Sequence, residues 1–433
     1  MGVTRTVTRR LPRTVDRQLR GRAETVIPGG MYGHMSTVLL PQNYPQFFSR
    51  AQGAHVWDAD GNRYLDLMSA YGPNLLGYAH QTVDRAVADQ LARGDVAPGP
   101  SPLMVDLAEQ FVAMVPHAHW AMFCKNGSDS TTIALMTARA HTGRRGLIRC
   151  AGSYHGSAPW CTPNLQGTIP EDRAHQFSCT YNDIASLEAA LQAAGGDLAA
   201  IVVAPYCHDA FKDQAPIEPE FARRVRAACD ERDAVLILDD VRAGLRLARG
   251  SSWEPLGVQP DLSCWGKSIA NGHPISAVLG AMEFREAASS IYVTGSYWYA
   301  ATPMAAAIET LRLVRESDYL ERIQGVGARL RAGLATVAAQ HGCGIRQTGP
   351  VQMPLILFDD DPDFRRGLYW ASEMLERGVY VHPWHNMFLC AAMNDADIDC
   401  VIQAAEGAFA ALRSKLHVLE PHARLEARLK RAQ

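Results

Sequence analysis

From about Gln81 the chain alternates short apolar runs with amphipathic stretches, and this alternation limits its possible folds more than any other feature. Five runs, Ala121–Cys124, Leu147–Cys150, Ile201–Ala204, Val235–Leu238 and Leu262–Trp265, are each four residues long. Apolar runs of that length, bounded by turn signals, fit buried strands. Between them, Asp129–His141, Ile184–Ala194 and Pro219–Arg232 place apolar residues three and four apart, the period of a helix with one buried face. Strand–helix repetition of this kind predicts an α/β domain with a mostly parallel sheet flanked by helices.

The ends of the chain have another texture. Residues 53–67, GAHVWDADGNRYLDL, read as a hairpin, because alternating apolar positions flank the permissive turn Asp60-Gly61-Asn62. Helices are expected from about Arg13, from near Pro303 past Arg315, near Asp395–Leu412 and near Glu420–Arg431. The expected organisation is an N-terminal segment over 1–75 that packs with the small domain, a large domain over 76–305, and a smaller C-terminal α+β domain over 306–433.

Charge excludes some functions. With 42 basic and 45 acidic side chains the net charge is −3, which argues against nucleic acid or a membrane surface as partner. No apolar run approaches the roughly 18–20 residues of a membrane span. The segment Met1–Arg22 carries seven Arg and one Asp, Asp16, without an apolar signal core, and reads as a basic leader into a helix. Ten cysteines show neither C-x-x-C spacing nor a Cys/His cluster with zinc spacing. The expectation is reduced thiols, a cytoplasmic protein and no metal site.

Only five of the 42 basic residues are lysines: Lys125, Lys212, Lys267, Lys415 and Lys430. Chemistry that needs an amine therefore has five possible places. Lys415 and Lys430 sit in polar terminal helices, Lys212 in the charged stretch FKDQ, and Lys125 beside a loop. Lys267 follows Leu262–Trp265 among Gly266, Gly272 and Pro274, with little other charge, a setting that suits a desolvated amine or Schiff base.

Ligands of open α/β sheets gather at the carboxyl ends of strands, and three more signals fall there. Asp239 and Asp240 follow Val235–Leu238; Asp239 reads as a helix cap, an ion-paired carboxylate, or a carboxylate that keeps a ring nitrogen protonated. Lys125-Asn126-Gly127-Ser128-Asp129-Ser130 follows Ala121–Cys124 and opens a helix, which suits a phosphate or an ordinary N-cap. Gly152-Ser153-Tyr154-His155-Gly156 follows Leu147–Cys150; Tyr154 either covers a planar ligand or packs on the core. Phosphate loop, aromatic ring, aspartate and lysine, in that order, are the parts that pyridoxal phosphate (PLP) takes from a protein.

From Glu24 to about Phe409 the chain resembles class III aminotransferases of PLP fold type I, in the glutamate-1-semialdehyde aminomutase-like branch. IPGG, DADGNRYLD, NGSD, YHG, LILDDVRAGLR and GKSIANGHPISAVLG match family segments in order. The resemblance implies the fold type I architecture, PLP as cofactor, and transfer of an amino group between an amine or amino acid and a carbonyl acceptor. Lys267 would form the internal aldimine and move protons, and transamination would pass through pyridoxamine phosphate. Asp239 would pair with the ring nitrogen, Val241 and Tyr154 would enclose the ring with His155 beside them, and Gly127 and Ser128 would hold the phosphate. A hydroxyl from the other subunit of a homodimer, Ser296 or Thr294, would reach the phosphate too. Aminomutase or racemase chemistry uses the same residues and stays open, as does a non-catalytic binding protein that keeps the fold. A nicotinamide oxidoreductase is disfavoured, since no G-x-G-x-x-G follows the first strand.

Two departures bear on substrate. IPGGMYGHMS places Ser36 where semialdehyde aminomutases carry a carboxylate-binding Arg; its loss argues for an amine, an amino ketone or a differently held amino acid. Arg242 and Arg346 are possible replacements, with surface salt bridges as the plainer fate of both. APYCHDAF at 204–211 lacks the family's Glu-Pro, leaving His208 or Asp209 to approach the cofactor's phenolic oxygen. Tyr32, His34, Tyr71, His208, Trp298 and Trp384 are candidates for the substrate pocket.

Overall fold

The structure, a computed structural model, describes residues 11–208 and 211–432. The first part of the basic leader, and Asp209, lie outside the described residues. The chain divides into two compact units, one made of residues 72–76 and 80–320, the other of residues 1–71, 77–79 and 321–433.

The larger unit is built on seven strands: β1 (Trp120–Cys124), β2 (Gly146–Cys150), β3 (Gln176–Cys179), β4 (Leu198–Val203), β5 (Val235–Asp239), β6 (Leu262–Trp265) and β7 (Ser276–Gly280). Their order across the sheet is β1-β7-β6-β5-β4-β2-β3. The ladders linking β3, β2, β4, β5 and β6 are parallel. Strand β7 runs antiparallel to both of its neighbours, so β1 again points the same way as the other five.

Burial explains why the central strands read as unbroken apolar runs. All six residues of β4 and all five of β5 are buried, as expected where helices cover both faces of a sheet. Ile201, Val203, Leu236 and Leu238 pack with Leu187 and Leu191 of α2 (Ile184–Ala194) and Phe221 and Val225 of α3 (Pro219–Arg232). Alternate residues of the same strands, Ala200, Val202, Val235 and Ile237, face Ile133, Ala134 and Ala138 of α1 (Gly127–Thr142). The period of two thus sorts each strand between two cores. Helix α1 starts where Asp129 Oδ2 accepts Asn126 N at 2.8 Å, and stops at Gly143, whose φ of 67° suits glycine.

The expected helices lie within a few residues of the observed ones. Two strands of the seven-stranded sheet have no counterpart in the sequence reading. Strand β3 is QFSC, too polar to stand out, and β7 lies inside ISAVLG, directly after the lysine loop, where an apolar run does not announce a reversal of direction.

In the smaller unit, Phe48–Gln52, His55–Asp58, Arg63–Asp66 and Val379–Tyr380 form one sheet in that order. The expected hairpin is there, with Val56 opposite Tyr64. Its turn is held by Asp58 Oδ1, which accepts from Asp60 N at 3.0 Å and Asn62 N at 2.8 Å. Val379–Tyr380 pairs in parallel with Arg63–Asp66, so residues from both ends of the chain share one sheet. No helix among the described residues is long and apolar enough to cross a membrane.

Candidate active site

Six strands point one way, so β1, β2, β4, β5 and β6 bring their carboxyl ends, and the loops after them, to one edge of the sheet. Lys267 follows β6 with a φ of 46°, a left-handed conformation that costs a side-chain-bearing residue about 1–2 kcal/mol. The side chain is partly exposed yet densely surrounded by protein. That desolvation pushes its amine down to about 7; Arg242 and Arg246 push the same way and Asp239 opposes them. A large share of the amine is therefore neutral, and nucleophilic, near neutral pH. Asn271 anchors the loop that follows Lys267: its Oδ1 accepts Leu76 N at 2.8 Å.

Asp239 ends β5 and is 6% exposed. His155 Nδ1 stands 2.7 Å from its Oδ2, and Val241 N donates to Oδ1 at 3.2 Å. The neighbouring Asp240 serves another purpose. It accepts from Ser252 N at 3.1 Å and from the hydroxyls of Ser251 and Ser252, anchoring the loop at 251–253. Burial pushes its carboxyl up to about 7. Different partners thus separate two carboxylates that look alike in sequence.

At the end of β1, α1 begins with Gly127 and Ser128. The first N–H groups of a helix have no partner inside it, and the dipole there favours an anion. A Cβ on Gly127 would lie 2.7 Å from Val241 Cγ1, so only glycine lets the helix start approach Val241 this closely. The loop after β2 seats on the same turn: Ser157 N donates to Ser128 Oγ at 2.9 Å. A Cβ on Gly156 would meet that Oγ at 2.6 Å. Tyr154 is 43% exposed while His155 beside it is buried. Val241 packs in the core on the α1 face of the sheet together with Trp160 and Trp298.

The remaining candidates fall in different places. His208 is buried, with its ring 5.1 Å from that of Tyr206. Burial, then the charges of Arg242, His155 and Lys267, hold its imidazole well below the ordinary range, so it stays neutral. Thr294 and Ser296 are exposed. In the smaller unit Tyr32 is 72% exposed. His34 packs edge-on to Tyr71 at 4.8 Å, and Tyr71 lies 5.2 Å from His385. Trp384 stacks edge-on against His382 at 5.0 Å. Burial pushes His382 down to about 3, so that imidazole is neutral as well.

Of the two possible replacement arginines, Arg346 pairs with Asp359 at 2.8 Å, with both side chains a little under half exposed. Arg242 does not share that fate: it is half-buried, with its field on Lys267, Tyr206 and His208. Sequence reasoning named both as possible replacements but favoured a surface salt bridge for each, because the residue type alone does not tell a surface cation from a half-buried one. It also missed Thr131 and Ser157, whose contacts with His155 and Ser128 tie the 153–157 loop to α1 across 24 and 29 residues.

These residues suit PLP. A poised amine, a carboxylate held on both oxygens, a Gly/Ser helix start, Val241 and an exposed tyrosine follow strands whose carboxyl ends share one edge of the sheet. His155 Nε2 and His208 Nδ1 are buried polar atoms without a hydrogen-bond partner among the described residues, so the region is polar enough to receive a polar ligand.

Comparison with known proteins agrees. Residues 40–405 match the family model described as Aminotransferase class-III. The chain is 55% identical over 409 residues to an aminopentol aminotransferase of Sphingopyxis macrogoltabida, covering 94% of this chain and 97% of that protein. It is 30% identical over 403 residues to a 3-aminobutyryl-CoA aminotransferase of Cloacimonas acidaminovorans (strain Evry), covering 91% and 96%. The PLP internal aldimine form of the FumI protein of Sphingopyxis sp. MTA144 superimposes with a TM-score of 0.94 at 55% identity, covering 95% of this chain and all of that one. The first two relatives are named as aminotransferases, so they carry the class and not the aminomutase-like branch. The chain belongs to the class III aminotransferases, PLP-dependent enzymes of fold type I.

Proposed function

We propose that this aminotransferase takes its amino group from an amine bearing neutral polar groups in place of a carboxylate. The observation that carries the reading is the 55% identity, over nearly the whole chain, to an enzyme named for an aminopentol. Ser36, in place of the carboxylate-binding arginine of semialdehyde aminomutases, supports it. So do the neutral imidazoles of His208 and His382, which hydrogen-bond hydroxyls without demanding a counter-charge. Tyr32, His34, Tyr71, Trp298 and Trp384 are proposed to contribute to substrate selection.

Bound PLP supplies an electron sink for the negative charge that develops on the carbon carrying nitrogen. In the proposed division of labour, Lys267 Nζ would hold the cofactor and, once released from it, would take up the proton from the carbon carrying nitrogen. Asp239 keeps a proton on the ring nitrogen. Gly127 and Ser128 would hold the phosphate, and Tyr154 and Val241 would enclose the ring. Thr294 or Ser296 of a second subunit is proposed to reach the phosphate.

A stoichiometric reaction with donor alone tests the function. Polyhydroxylated and plain alkyl amines should each release about one carbonyl product per active site and then stop until a carbonyl acceptor is added. Glutamate semialdehyde should react poorly. An aminomutase or racemase returns the amine and releases no carbonyl product; that result, or efficient turnover of glutamate semialdehyde, contradicts the reading.

A further inference from the structure

Beyond the strand Arg63–Asp66 the backbone turns left-handed. Ser69, Ala70 and Tyr71 have φ of 45°, 53° and 64° in succession. That conformation is costly for residues with a side chain and is ordinarily visited singly, so a run of three needs a holder. Asp66 supplies it. The residue is 3% exposed; its Oδ1 accepts Met68 N at 2.7 Å and its Oδ2 accepts Tyr78 Oη at 2.6 Å. The N–H groups of Ser69 and Ala70 stabilise the same carboxylate. Successive backbone N–H groups converging on one anion make a nest, here filled by a side chain of the same segment.

The turn ends on Tyr71, the hub of an aromatic cluster. The rings of His34, His385 and His382 lie 4.8, 5.2 and 6.3 Å from its own, and Trp384 packs on His382. Tyr71 Oη donates to the His34 carbonyl at 3.1 Å. Ser69 Oγ donates to the Phe388 carbonyl at 2.9 Å, which ties the turn to the segment that carries the other two histidines. His382 Nδ1 accepts His385 N at 3.2 Å, so the neutral ring keeps its proton on Nε2, a donor suited to a hydroxyl.

We propose that Asp66 is a positioning residue for substrate selection. Anchored by Tyr78, it holds the left-handed turn, and the turn sets the Tyr71 ring among the imidazoles that choose between donors. The inference rests on the reading of Tyr71, His34 and Trp384 as selecting a hydroxylated amine. It assigns Asp66 and Tyr78 no contact with substrate or reacting atoms.

The holoenzyme variants Asp66→Asn and Tyr78→Phe test it. The first removes the charge at nearly constant size, and the second removes one contact with Oδ2. Serinol and isopropylamine, the same amine skeleton with and without hydroxyls, are the donors, and KM and kcat are read for each. KM for serinol should rise in both variants, by about tenfold in Asp66→Asn, the order of one to two lost hydrogen bonds. Its kcat should stay within about twofold, as expected when only uniform binding is lost, and isopropylamine should respond less. Ala70→Gly, which adopts a positive φ freely, should recover most of the loss in the Asp66→Asn background. Unchanged KM for serinol in both variants, equal changes for the two donors, or no recovery by Ala70→Gly overturns the proposal. Tyr71→Leu separates the two claims. If it alone erases the preference for serinol, Asp66 has no positioning role. If it changes nothing, or the wild type prefers isopropylamine, the reading of the donor fails and this inference with it.

Discussion

A lysine amine surrounded by protein and facing two arginines should leave a mark on stability. Lys267 sits near 7 in the folded protein, against about 10.4 in an unfolded chain. Between those values the unfolded state binds the extra proton, so stability rises with pH across that window. The penalty is fully present below 7 and disappears towards 10. In the cofactor-free protein, Lys267→Met should therefore melt above the wild type near pH 7, and the gap should narrow steadily as pH rises. A gap independent of pH would show that the amine is not desolvated. At this scale the sequence said a great deal, since five lysines reduce to one by their neighbours alone. It could not separate Asp239 from Asp240 by contact, because His155 and Ser252, which do so, lie 84 and 12 residues away.

At the scale of elements, the start of α1 fits closely against the residues that follow β5. A methyl group on Gly127 would come within 2.7 Å of Val241 Cγ1. Overpacking of this kind costs typically about 1–3 kcal/mol and is relieved by shifting one partner. Gly127→Ala should weaken cofactor binding by roughly tenfold or more, and Val241→Ala in the same chain should recover much of the loss. The measurement is a double-mutant cycle on cofactor affinity. Additive effects would mean that the two residues do not define the same face. Helices were legible here because periodicity records burial: α2 and α3 have the bounds their apolar spacing predicts. Strands β3 and β7 were not, because a polar edge strand and a reversed strand carry no period of their own.

For the whole molecule, the chain uses both termini in one unit and a seven-stranded sheet, six of its strands codirectional, in the other. The larger unit exposes several apolar side chains, among them Tyr292 at 87%, Tyr297 at 70%, Leu91 at 61% and Val105 at 59%. Single exposed residues are ordinary, but large aromatics beside Thr294 and Ser296 fit a covered surface. The proposed homodimer predicts a solution mass near twice 47.3 kDa, with cofactor retention that falls on dilution. A monomer that holds cofactor at nanomolar concentration would contradict it. The site was legible as a series of strand ends long before its contacts were, because topology gathers those ends whatever the loops contain. The loop contacts themselves, such as Ser157 with Ser128, depend on where the chain folds back and left no trace in the sequence. The central claim is that one lysine of five carries the cofactor. Borohydride reduction of the holoenzyme followed by peptide mass spectrometry should place a single pyridoxyl group on Lys267. A label on Lys125, Lys212, Lys415 or Lys430, or no label at all, would contradict it.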